Sequence, residues 1–183
     1  QHKLMAFLAT ADDNYSDAVH GALNPYHCTR HAADVAQTMT CFLLQEKMAT
    51  ICTDNPLRTF AALIASMMHD FRHRGVTNNF LITAEDELAT LHNDASVLER
   101  FHAAETWRLL QAPECCIIEN LDVQDRKAFR RMCIELILAT DLSLSFQYIT
   151  RFETLAGSTS RQAAMADAQY SEQDAQLVLQ MVL

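Results

Sequence analysis

The chain has 183 residues, 50% of them apolar and 20% charged, with a formal net charge of −9. That composition suits one globular domain with a real core and excludes a disordered chain, while the acidic balance excludes nucleic acid as the main partner. Only three Gly and three Pro occur, too few for a turn-rich sandwich or barrel, and no run of about 18 apolar residues is present to span a membrane.

The chain opens on Gln1, His2 and Lys3 with neither an initiating Met nor a secretory pattern, and it reads as an excerpt of a longer protein. The segment Asn24 to Thr38 carries His27 and His31. Four residues apart on a helix, they project from one face into one cavity. Asn55 and Pro56 form a helix start, cap followed by first-turn proline. Leu57, Phe60, Ala61, Ile64, Met67 and Met68 then follow the spacing of a buried face. This helix delivers His69 and Asp70 at its C-terminal end. Gly75 allows a turn, and Thr77 to Asn79 reads as loop.

Ser96 with Glu99 three residues later predicts a capping box and a helix carrying Val97, Phe101, Ala104 and Leu109. A third helix opens at Asp122 and runs through Phe129, Met132, Leu136, Ile137 and Leu138 as far as Leu155. Ala156 to Gln169 reads as an exposed loop. Ser171 to Asp174 resembles a helix N-cap with acids in the first turn. The apolar stretch behind it is still running at Leu183 with no closing cap, so truncation is expected. The whole reads as a compact all-α multi-helix bundle, with residues 1–183 one partial domain. Six cysteines (28, 41, 52, 115, 116 and 133) show no C-x-x-C pair, the usage of reduced thiols in an intracellular, cytoplasmic protein.

Five metal-competent groups fall in two short segments: His27, His31, His69, Asp70 and His73. Imidazole and carboxylate are the donors a hydrolytic zinc or other first-row metal takes when one position stays open for water. Asp70 has two oxygens and is able to bridge two ions, and water on zinc is acidified to a pKa near ~7. The residues therefore point to metal-assisted hydrolysis. His2, His20 and His92 read as ordinary surface or core residues.

Four ordered motifs carry a family resemblance. Asn24-Pro25-Tyr26-His27 through His31-Ala32-Ala33-Asp34-Val35 resembles the Y-H-N-x-x-H-A-A-D-V segment of class I 3′,5′-cyclic nucleotide phosphodiesterases. His69-Asp70 through His73, Gly75, Asn78 and Phe80 is similar to the family's H-D-x-x-H-x-G-x-x-N-x-F. Asn93-Asp94-Ala95-Ser96-Val97-Leu98-Glu99 with His102 is similar to N-D-x-S-V-L-E-x-x-H, and Leu138 to Ser143 to L-A-T-D-M-S. The resemblance implies the helical fold of the HD-type metal hydrolases and hydrolysis of cyclic AMP or cyclic GMP to the 5′-monophosphate by a metal-bound hydroxide. His31, His69 and Asp70 would be three of four protein ligands of a tight zinc, and Asp70 would bridge to magnesium or manganese. His27 would be the general acid. Glu99 would orient His27 or a metal-bound water, beside its capping role; His73 and Thr140 would hold metal-bound waters. Tyr26 and Leu142 would border the nucleotide, and Asp34 and Asp141 would be structural.

Three positions depart from the pattern: Cys28 stands for the usual Asn, Ser145 for a His and Arg74 for a Pro. The family's fourth ligand Asp, a neighbouring Asn and the purine-clamping Gln would lie past Leu183, so little turnover is expected of these 183 residues alone. Two other readings stay open: a non-catalytic relative serving as nucleotide sensor or partner-binding module, and another phosphohydrolase of the helical H…HD…D group.

Overall fold

A computed structural model describes residues 1–16, 24–45, 48, 52, 55–162 and 171–183. The described residues are all-α: α1 (His2–Ser16), α2 (Thr29–Leu43), α3 (Pro56–Met68), α4 (Asn78–Thr83), α5 (Glu87–His92), α6 (Val97–Gln111), α7 (Val123–Leu138), α8 (Ser145–Gln162) and α9 (Glu172–Val182), with a 3₁₀ turn at Leu142–Leu144. No single helix among them is long and apolar enough to cross a membrane. His20 lies outside the described residues.

Helix α3 is the central element, packed against α2 on one side and α7 on the other. Asn55 Oδ1 accepts from the Leu57 and Arg58 amides at 2.9 and 3.4 Å, and Pro56 follows as the first helical residue. Ala61, Ala62 and Ala65 are fully buried; without long side chains there, two neighbouring helices approach the α3 backbone closely. Ile64 and Met68 fill what remains, joined by Phe7, Tyr15 and Phe71 on one flank and by Met39, Leu136 and Leu179 on the other. Helix α1, which the sequence reading did not single out, is fastened by Tyr15, whose hydroxyl donates to the Met67 carbonyl at 2.8 Å.

Several expected boundaries fall elsewhere. Thr77 to Asn79 is not loop: Thr77 caps α4 by accepting from the Phe80 amide at 3.2 Å. The capping box at Ser96 does not form. Ser96 takes a left-handed backbone (φ 45°), and its hydroxyl donates to Asp141 Oδ2 at 2.6 Å. The cap of α6 comes instead from Asn78, whose Oδ1 accepts from the Leu98 amide at 2.8 Å while its Nδ2 donates to Glu99 at 2.9 Å. Competition for hydrogen bonds from a distant Asn and Asp thus outweighs a sequence-local box.

The helix opened by Asp122 ends at Leu138 rather than continuing to Leu155. Thr140 Oγ1 donates to the Ile137 carbonyl at 2.7 Å, and Asp141 accepts from the Ser143 amide at 2.9 Å, so polar side chains substitute for the next helical turn. The chain then bends by 84° into α8. Helix α8 continues through Gln162, so 156–162 is helix and not loop; 163–169 lie outside the described residues. At α9 the expected cap is present and forms a capping box: Asp174 accepts from the Ser171 amide at 2.8 Å and donates its own amide to Ser171 Oγ at 3.2 Å. All six cysteines are free thiols.

Asp141 therefore joins α6 to the break after α7. Removing its side chain as Asp141→Ala is expected to cost roughly 1–3 kcal/mol, because the half-buried Ser96 hydroxyl and the Ser143 amide both lose their acceptor. Burial would raise its carboxyl, but the Ser96 and Ser143 hydrogen bonds outweigh that and hold it below the ordinary carboxylate range. A group depressed in the folded state stabilises above its unfolded pKa near ~4 and loses that contribution as pH falls through the folded value. Urea unfolding at pH 7 and pH 3 should show the wild-type advantage over the Ala variant shrinking at the lower pH.

Candidate metal centre

The end of α3 sets up the site. Met68 closes the helix, His69 is its C-cap, and Asp70 follows at once. His69 Nδ1 donates to the Ser66 carbonyl at 2.9 Å, which orients the ring so that Nε2 faces the cavity. His31, on the third residue of α2, brings its Nε2 to 3.2 Å from His69 Nε2 and to 3.2 Å from Asp70 Oδ2. His69 Nε2 lies 3.1 Å from the same oxygen.

These three distances test whether a cation fits. Donors about 2.0–2.1 Å from a tetrahedral ion stand roughly 3.3 Å apart, close to the triangle observed. Two imidazole nitrogens and a carboxylate oxygen converging on one point, two of the three residues half-buried and His69 buried, is a donor set that fits a divalent ion.

His27 reaches the same place by a different route from the one its spacing suggested. Helix α2 begins at Thr29 and Cys28 is its N-cap, in extended conformation with no side-chain cap bond; His27 therefore precedes the helix. Asn24 presents it: Asn24 Oδ1 accepts from the His27 amide at 3.0 Å and from the Tyr26 amide at 3.3 Å. Asn24 Nδ2 reaches the His73 carbonyl at 3.4 Å. The His27 ring stacks on His73, centroids 3.6 Å apart and planes 10° from parallel, and its Nε2 stands 4.0 Å from Asp70 Oδ2. Asn24 is thus a positioning residue that spacing rules pass over, because its role depends on two segments meeting.

His73 Nδ1 accepts from the Gly75 amide at 2.9 Å, a bond that requires the tight turn Gly75 makes at φ 72°. Below it lies His102, 1% exposed, its ring 5.4 Å from His73 and its Nε2 3.9 Å from Asp70 Oδ1. The sequence reading quoted His102 only as the end of a motif. Arg72 and Arg108 both pair with the buried carboxylate of Glu105 and tie the 69–75 turn to α6.

Charge in the site is dominated by Asp70. Burial alone would raise its carboxyl, but the hydrogen bond and charge of His69, with the charges of His102 and His27, hold it far below the carboxylate range. Burial pulls His69 down, and its bonds to Asp70 and Ser66 more than reverse this, so its pKa is raised. Burial lowers His27, with Asp70 opposing. His73 falls to about 4 and His102 to about 3, both chiefly by burial. Burial also raises Glu99.

A cavity of about 690 Å³ opens above the cluster, lined by His27, His31 and Asp70 on its floor and by Glu99, Thr140 and Leu142 on its wall. Tyr26 and Leu142 stand at its mouth, 62% and 86% exposed. The sequence-selected residues are all brought to this one cavity, and His2 and His92 lie elsewhere.

Residues 26–183 match the family model described as 3′5′-cyclic nucleotide phosphodiesterase. The chain is 39% identical over 152 residues to 3′,5′-cyclic-AMP phosphodiesterase 4C of Mus musculus, a match covering 83% of this chain and 21% of that protein. It is 38% identical over 151 residues to the dual specificity calcium/calmodulin-dependent 3′,5′-cyclic nucleotide phosphodiesterase 1B of Mus musculus, covering 82% of this chain and 27% of the other. The crystal structure of the phosphodiesterase domain of the RhoPDE fusion protein from Salpingoeca rosetta superposes with a TM-score of 0.82 at 28% identity, covering 100% of this chain and 53% of that one. The chain thus spans about a quarter of these curated relatives and about half of the solved domain.

Removing one donor from the triangle leaves two, too few to retain an ion tightly. His31→Ala and His69→Ala are each expected to lower bound divalent metal, read by elemental analysis after dialysis, from near one equivalent to a small fraction of it. Folding, checked by circular dichroism, should survive the exchange at His31, which is half-buried.

Proposed function

This chain belongs to the 3′,5′-cyclic nucleotide phosphodiesterase family, and we propose that the protein carrying it hydrolyses cyclic AMP or cyclic GMP to the 5′-monophosphate. The observation that carries the proposal is the convergence of His31, His69 and Asp70 within 3.2 Å of one another, directly under a cavity that His27 also lines.

The mixed imidazole and carboxylate donors favour zinc at the tight site, and Asp70 Oδ1, turned away from His31 and His69, suits an oxygen-seeking magnesium or manganese ion. Ions held there would neutralise the phosphodiester's charge and acidify water enough to supply a nucleophile at neutral pH. An acidic chain has few other cations to offer a phosphate, so the metal serves binding as well as attack.

His27 protonates the departing O3′. An alkoxide is a poor leaving group, and a positioned imidazolium contributes about 10²- to 10⁴-fold. Stacking on His73 fixes the plane of the His27 ring and Asn24 fixes its backbone, while the Asp70 charge partly offsets the burial that lowers its pKa. Glu99, His73 and Thr140 hold water molecules around the cavity; Thr140 spends its hydrogen on the Ile137 carbonyl and so acts there as an acceptor. Tyr26 and Leu142 offer the aromatic and apolar surface that a nucleobase or ribose covers. The six free thiols support an intracellular setting for this work.

We read residues 1–183 as one part of a catalytic domain, since they cover 53% of the solved one. Production of 5′-AMP and 5′-GMP should be low from these residues alone and high from the polypeptide continued past Leu183; equal rates would refute that assignment. In the longer polypeptide, His27→Ala is expected to lower kcat by about 10²- to 10⁴-fold with little change in KM. A drop confined to KM would remove His27 from the proton transfer.

A further inference from the structure

A basic face lies apart from the metal donors, on α7. The chain is acidic overall, yet four of its 14 Lys and Arg fall between positions 126 and 131. At 3.6 residues per turn, Arg126, Lys127, Arg130 and Arg131 share one arc of about 140°, opposite the buried Phe129, Met132 and Leu136. Arg126 and Arg130 stand one turn apart, as do Lys127 and Arg131, so like charges repel along the helix. None of the four forms an ion pair with a carboxylate among the described residues. Arg126 and Arg130 lie instead over the Trp107 ring, 5.5 and 4.3 Å from its centroid.

The same face runs into a second cavity of about 540 Å³, where Arg131 is joined by Arg58 and Arg151. Arg58 is 2% exposed and stands 3.8 Å from Glu172; Arg151 lies over the Tyr148 ring. Glu135 and Glu172 also line this cavity. Gln176, on its wall, donates Nε2 to the Met132 carbonyl at 3.4 Å, while its Oε1 is buried without a hydrogen-bond partner among the described residues. An occupant that satisfies this groove brings anions to the guanidinium groups and an N–H to Gln176.

We propose that the exposed face of α7 and the groove beside it dock an acidic peptide segment of a partner protein. A peptide carries both groups the groove asks for: side-chain carboxylates and backbone N–H donors. Arg126 and Arg131 are about 7.5 Å apart along the helix axis, and alternate side chains of an extended segment are about 6.7 Å apart, so acidic residues at every second position match the row. An anionic bilayer fits less well. Its flat surface cannot reach Arg58 inside the cavity, and a continuous layer of negative charge would press against Glu135 and Glu172.

The probe is a fluorescein-labelled octaglutamate peptide, titrated with the polypeptide continued past Leu183. Its anisotropy should rise to saturation, with affinity falling as salt is raised. Reversing two exposed charges together, Lys127→Glu with Arg131→Glu, should weaken binding about tenfold or more, whereas Arg100→Glu, an exposed cation on α6, should stay within about twofold of the wild type. Gln176→Leu, which removes the unpaired acceptor, should weaken it about threefold. Circular dichroism checks that each variant is folded. No saturable binding, an equal loss in Arg100→Glu, an unchanged affinity in the double variant or in Gln176→Leu, or uptake onto phosphatidylserine vesicles in place of the peptide would each overturn the proposal.

Discussion

One buried carboxylate organises this molecule. Asp70 stands within 4.0 Å of four imidazoles drawn from three stretches of chain, and it stays ionised because those imidazoles outweigh the cost of burying it. An anion in such a place is destabilising by itself. It is tolerable only where positive charge, from imidazolium or from a metal ion, can gather around it. The cluster is therefore a donor set able to hold a divalent ion, and the fold around it keeps the donors from moving apart.

That service is visible in the elements. The three alanines of α3 let α2 and α7 close on its backbone, which brings His31 on α2 to the end of α3 where His69 and Asp70 emerge. Glu105, paired with Arg72 and Arg108, ties the turn after α3 to α6 and so sets His102 beneath Asp70. Asn78 and Asp141 then fasten the N-terminus of α6 from two sides, placing Glu99 and Thr140 on the wall of the same cavity. Each polar group that looks incidental in its own segment satisfies a backbone or hydroxyl group in another, and this is how a mostly helical frame holds a polar cavity without leaving many buried atoms unpaired.

Cys28 and Arg74, two of the departures from the family pattern, lie outside the donor triangle. Cys28 is the N-cap of α2 and makes no side-chain cap hydrogen bond, while the adjacent His27 amide is held by Asn24. Arg74 pairs with Asp86 and lies over the Phe101 ring, a surface link between the turn and α5. Neither substitution touches the donor triangle.

Local chemistry alone determined the helical class, the starts of α3, α7 and α9, and the donor types of the site, because caps, heptad-like spacing and metal-ligand preferences act within a few residues. It placed the start of α6 at Ser96 but gave it the wrong cap, because Asn78 and Asp141 reach that end from 20 and 45 positions away; it also missed the end of α7, where Thr140 and Asp141 bond to the Ile137 carbonyl and the Ser143 amide. It also put His27 on a helix that begins two residues later, and gave no role to Asn24 or His102, whose partners lie far along the chain. Which nitrogen carries a hydrogen, which carboxylate oxygen faces which ring, and which residues share a cavity are properties of side chains meeting through space. Only the tertiary structure decides them, since a distance of 3 Å between Asp70 and His31 is set by how α2 and α3 pack and by nothing written in either segment.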